Sequence, residues 1–154
     1  MRKTAFLLVL VAAAFAAPQA FPAGPSNANG GGIGTIDGTS PFSHFGFGVT
    51  FGAGGAAQGH FNCLMAGNAA FPGFEPLMKV DGRVSAGSVS PALGSAEFTG
   101  TGTLNLGPSG RMPALFHVAV TDGAAGVGTL TLTVIAPAFP LPTETVMAGR
   151  ITVR

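Results

Sequence analysis

From residue 42 onward, apolar and polar side chains alternate with a period of two. In 42–51, Phe45, Phe47, Val49 and Phe51 share one face, while His44, Gly46, Gly48 and Thr50 share the other. In 57–65 the apolar face is Ala57, Phe61, Cys63 and Met65, opposite Gln58, His60 and Asn62. The alternation recurs in Val80/Val84 against Lys79/Asp81/Arg83, and in Phe98/Leu104 against Glu97/Thr99/Thr101/Thr103. It continues in Phe116/Val118/Val120 against His117/Thr121, and in Leu130/Leu132/Val134 against Thr129/Thr131/Thr133. At the end, Ile151 and Val153 oppose Arg150, Thr152 and Arg154. This pattern predicts half-buried antiparallel strands, and no helical repeat competes with it.

Turn residues punctuate the runs. Gly52–Ala56 closes the first strong hairpin, and Pro108-Ser109-Gly110 and Asp122-Gly123 close later ones. A hairpin centred near Gly54 places Val49 opposite Gly59, Phe47 opposite Phe61 and His44 opposite Leu64. Pro137–Pro142 reads as a stiff insertion before the last strand. The expected fold is all-β, an antiparallel β-sandwich of about 8–9 strands, with a small closed β-barrel as the alternative.

The front of the chain reads differently. Met1-Arg2-Lys3 is basic, residues 4–15 are largely apolar, and Ala14 and Ala16 form an A-x-A site. Residues 1–16 are thus expected to be a signal peptide, cut between Ala16 and Ala17. The apolar run falls short of the ~20 residues that a membrane span needs. Residues 17–32, rich in Pro, Gly and Asn, are expected to be a flexible lead-in, and 33–154 a single all-β domain. The protein is therefore expected to be exported, periplasmic or secreted.

Composition narrows the function classes. Only 8% of residues are charged, against 25 Gly and 13 Phe, and Trp and Tyr are absent. Without Arg2 and Lys3 the balance is five basic residues (Lys79, Arg83, Arg111, Arg150, Arg154) against six acidic, a net −1. No basic stripe remains for nucleic acid. A transmembrane barrel needs aromatic girdles, usually rich in Tyr and Trp. No stable membrane insertion is expected after cleavage. A single cysteine, Cys63, excludes an internal disulfide.

The order of short motifs resembles a group of small exported bacterial domains of uncharacterised function, often labelled post-COAP. The pieces are Phe45-Gly46-Phe47, Gly59-His60-Phe61, Val80-Asp81-Gly82-Arg83-Val84 and Ala96–Gly102. They continue with Asp122-Gly123-Ala124-Ala125-Gly126 and Gly149-Arg150-Ile151-Thr152-Val153. Where that group commonly has an acid after the Asp-Gly turn, this chain has Gly128-Thr129. The resemblance spans residues 31–154 and implies an exported all-β domain. It carries over no activity.

Candidate chemistry is sparse. His60 and Cys63 are three apart on a strand and point to opposite faces, so they cannot share a metal. Cys63 reads as a buried small hydrophobe. His44 and His60 share a face but are out of register, and His117 falls on the wet side. Ser43 and His44 diverge, so no activated nucleophile forms. Glu75, Glu97, Glu144 and the three Asp (Asp37, Asp81, Asp122) read as scattered over turns and outer faces, with Asp122 a turn residue bonding its own backbone. The Gly30–Gly34 run precedes a strand, which argues against a phosphate cradle. No catalytic, cofactor or metal residue is assigned. The expectation is a non-enzymatic structural or surface-interaction domain whose partner is an unknown protein or surface ligand. The alternative is a small apolar-ligand-binding barrel with a cavity lined by Phe47, Phe61, Phe98 and Phe116; a hydrolase ranks last.

Overall fold

Eight strands follow one another antiparallel, and the first pairs with the last. The computed structural model describes residues 25–65, 77–123 and 127–154. The strands are β1 (Ser26–Thr35), β2 (Ser43–Phe51), β3 (Ala56–Met65) and β4 (Met78–Ser90), then β5 (Ser95–Asn105), β6 (Arg111–Thr121), β7 (Thr129–Ala136) and β8 (Phe139–Val153). The fold is thus a closed barrel, the alternative reading, and the sandwich expectation is corrected. The reason lies in β1. Its glycines give no apolar alternation, yet their backbone pairs on one side with β2 and on the other with β8. Closure leaves no unpaired strand edge, which removes the main route to edge-to-edge association.

Two boundaries shift with it. Residues 26–32, assigned to a flexible lead-in by composition, are part of β1. Pro140 and Pro142, read as an insertion, lie inside β8 beside an irregularity in its pairing with β7. Proline is tolerated in a sheet where the ladder is already interrupted. The predicted leader, residues 1–16, and Glu75 lie outside the described residues.

The β2–β3 hairpin has the register expected of it, with Phe47 opposite Phe61, Val49 opposite Gly59 and His44 opposite Leu64. That register sets which rings enter the lumen. Phe45 and Phe47 of β2, Phe61 of β3, Phe98 of β5 and Phe116 of β6 are all buried. Their rings form a chain. Phe47 meets Phe98 at 5.5 Å between centroids, Phe98 meets Phe61 at 6.0 Å, and Phe61 meets Phe116 at 5.4 Å. An eight-stranded barrel has an interior about wide enough for its own side chains, and here aromatic rings occupy it. They fit because glycines face them. A Cβ on Gly30 would stand 2.5 Å from the Phe47 ring, and one on Gly82 2.7 Å from the Phe116 ring. Leu130, Leu132, Val134, Val118 and Val80 complete the lining.

The outside divides into two flanks. Across β3–β6 it carries His60, Lys79, Asp81, Arg83, Glu97 and His117, and across β6–β8 it carries threonines. Thr121 bonds Thr129 and Thr131 bonds Thr143, each hydroxyl pair at 2.8 Å. Threonine suits these positions because its β-branch fits the pleat and its hydroxyl bonds across strands.

Candidate functional site

One polar group lies inside the barrel that alternation along β8 places outside. Counting back by two from Val153 and Ile151 sends Glu144 to the outer face. The β1–β8 register breaks that count: Ile33 pairs with Ala148 but Gly34 with Val146, leaving Met147 as an extra residue. Such a bulge inverts the face of everything beyond it. Val146 and Glu144 therefore point inward, and Glu144 is only 1% exposed. This corrects the expectation that Glu144 lies with the other acids on turns and outer faces. The available signal was Gly149, which adopts a left-handed φ of 96° just past the bulge.

Around Glu144 the site is built by β1, β2, β3 and β7. Ser43, the first residue of β2, is also buried, and its hydroxyl donates to Glu144 Oε2. Gly34 of β1 supplies clearance, since a Cβ there would run into Oε2 and the Ser43 hydroxyl. Leu130 of β7 stands opposite in the ladder. Oε1 is buried and has no hydrogen-bond partner among the described residues. Burial pushes the Glu144 carboxyl up to about 7, against the opposing pull of the Ser43 hydroxyl. Cys63 of β3, fully buried, feels the same site. Its thiol is pushed far up by burial and then by the Glu144 charge, while Ser43 acts in the opposite direction.

The loop beside this end is held by a second acid. Asp37 accepts from the Ser40 and Thr39 N–H groups, at 2.7 and 2.8 Å, and from the Thr35 hydroxyl at 3.0 Å. Those bonds, the Ser40 one foremost, hold its carboxyl well below the usual carboxylate range. Asp37 is thereby a turn-forming residue.

The remaining candidates separate. Ser43 points in and His44 out, so no base reaches the serine hydroxyl from its neighbour. His60 lies on the outer face 3.3 Å from Asp81, and His117 lies 3.6 Å from Glu97. His60 pairs with Gly48 and His44 with Leu64, so the two histidines are not cross-strand neighbours. Asp122 gives its N–H to the Gly94 carbonyl, and its carboxylate lies where a Cβ of Gly94 would go, so it ties two neighbouring turns together.

Outside, a groove of about 200 Å3 is lined by Lys79, Asp81, Thr103, Asn105 and Arg111. Lys79 Nζ bonds Asp81 at 2.9 Å, and that bond holds the Asp81 carboxyl below its usual value. The groove thus holds two cations against one carboxylate, with a hydroxyl and an amide beside them. Comparison with family models, with curated proteins and with solved structures returned no match.

Proposed function

We propose that the chain is an exported, non-enzymatic barrel, periplasmic or secreted, that acts through its outer surface as a structural or surface-interaction module. The observation that carries this reading is the filled lumen. The rings of Phe47, Phe98, Phe61 and Phe116 touch one another at 5.4–6.0 Å, so the space that an apolar ligand would need is taken by the protein itself. The buried polar group supports the same reading from the chemical side. Ser43 donates to a carboxyl that burial pushes up to about 7, and burial keeps the Cys63 thiol protonated, so the cysteine is not an activated nucleophile. The motif order that resembles small exported domains, with the leader-like residues 1–16, supports export.

The polarity of the wall argues against membrane insertion. A transmembrane barrel has an apolar band outside and a polar interior. Here Phe45, Phe47, Phe61, Phe98 and Phe116 point inward, while Thr99, Thr101, Thr103, Lys79, Asp81 and Thr131 point outward. The interacting flank is β3–β6, where the Lys79/Arg111 groove offers donors to an anionic group of a partner or surface polymer.

Two probes test the reading. The purified protein should not enhance the fluorescence of the dye anilinonaphthalene sulfonate, whereas a barrel with an open apolar cavity would. Retention on immobilised alginate should be salt-sensitive and should fall in the double variant Lys79→Ala, Arg111→Ala. Stoichiometric dye binding, displaced by a fatty acid, would favour the apolar-ligand barrel instead.

A further inference from the structure

Glu144 is the one acid buried in the barrel among the described residues, and it sits where the barrel closes. Its neighbour Thr145 pairs with Thr35 across the β1–β8 seam, and its carboxyl lies under Gly34 of β1. On the β1 side, side chains do little to reinforce this seam. β1 contributes Gly30, Gly31, Gly32 and Gly34, which have no side chains to pack, and β8 carries the bulge at Met147. Glycine also loses the most backbone freedom on ordering, so this strand is costly to hold in place.

We propose that Glu144 is a pH-operated latch on the β1–β8 seam: its neutral carboxyl completes the lumen, and its ionisation loosens the attachment of β1.

The groups around it leave an ionised carboxylate poorly served. From β2 it receives one hydroxyl, Ser43. From β3 it meets Cys63, the titratable group on that side, which is neutral and is made harder to ionise by Glu144 itself. From β1 and β7 it meets Gly34 and Leu130, which supply neither charge nor side-chain donor. The acid of the adjoining loop, Asp37, is satisfied by Thr35, Thr39 and Ser40. Ionisation therefore leaves a buried charge with one donor and an orphaned Oε1, and such a group is relieved by reaching water. Gly34, which lies against the carboxyl and carries no side chain, gives it a route past β1.

The folded carboxyl titrates at about 7 and an ordinary one at 4.5, so the folded barrel holds the additional proton. The latch is closed in acid, loosens as pH rises between those values, and stays loose above them.

Hydrogen exchange on the intact protein, corrected for the intrinsic pH dependence of exchange, tests this strand by strand. Between about pH 5 and about pH 8, protection of the β1 and β8 amides should fall on the order of a hundredfold relative to those of β3 and β4. In Glu144→Gln that differential should vanish. Should Glu144→Gln not fold, Ser43→Ala keeps the acid and removes the donor that favours its charged form, so the loss of protection should move to higher pH. An equal fall in all strands, the same differential in Glu144→Gln, or an unmoved transition in Ser43→Ala would each overturn the proposal.

Discussion

The tip of the Phe116 ring stands where a side chain of Gly100 would begin, 2.6 Å from the position of a Cβ on that residue. Gly100 belongs to β5 and Phe116 to β6, and the two are direct partners in the ladder. Much of the unusual composition follows from this kind of pairing. A lumen packed with phenylalanine needs facing positions with no side chain, and Gly30, Gly82 and Gly100 provide them.

Alanine at Gly100 would meet both the Arg83 carbonyl of β4 and the Phe116 ring, and should destabilise the barrel by about 1–3 kcal/mol or more, measured by urea unfolding. Gly31 provides the contrast. A Cβ there meets nothing closer than the Phe45 carbonyl at 3.7 Å, so Gly31→Ala should be neutral or stabilise by about 0.4–1 kcal/mol through the unfolded state. Equal losses at both sites would remove the steric explanation.

Phe61 and His60 are adjacent on β3 and face opposite ways, the first fully buried, the second on the outer face beside Asp81. Phe61→Ala should cost about 3–5 kcal/mol, the lost transfer energy plus the cavity. His60→Phe should change stability by no more than about 0.5–1 kcal/mol, because it loses only an exposed ionic contact. The reverse ranking in a denaturant melt would place the wrong face inside.

Stability should depend on pH through Glu144. The proton is held more tightly folded than unfolded, so stability falls as pH rises from 4.5 to about 7, by about 3 kcal/mol in all, and is then flat. Ser43→Ala leaves a buried acceptor unsatisfied, a loss of about 1–3 kcal/mol that should be larger at pH 8, where the carboxyl is charged, than at pH 5. A larger loss in acid would contradict the assignment of Ser43 as donor to the carboxylate.

Cys63 should react slowly with an aromatic disulfide reagent in the native state, and fast once unfolded in urea. Burial and the Glu144 charge both disfavour its thiolate. Cys63→Val should keep the fold, since the side chain packs as a small hydrophobe beside Phe61 and Met65. Rapid native labelling would mean that this end of the lumen is open to water.

The strands legible in the sequence were those in which side chains report the backbone. Phe45/Phe47 against His44/Gly46, and Phe61/Cys63 against His60/Asn62, give β2, β3 and their register directly. Where side chains are missing, the signal is missing too. β1 is largely glycine and reads as linker, and without β1 there is no strand to join β2 to β8, so a sandwich was the natural expectation. Glu144 was hidden for a different reason. A period-two count carries no information about a bulge, and the extra residue at Met147 reverses the face for all that precedes it in β8. The buried carboxyl thus follows from tertiary pairing, with Gly149 beside the bulge its one local sign.

Glycine-rich β1 closes the barrel onto β8 over a phenylalanine-filled lumen. Backbone nuclear Overhauser contacts in solution test it directly. Contacts should link Ala28 to Val153 and Gly30 to Ile151, with the Asn27 and Arg154 amides both protected by their mutual hydrogen bonds at 2.8 Å. If β1 shows contacts to β2 alone, and the β8 amides that face it exchange as an open edge, the barrel is not closed.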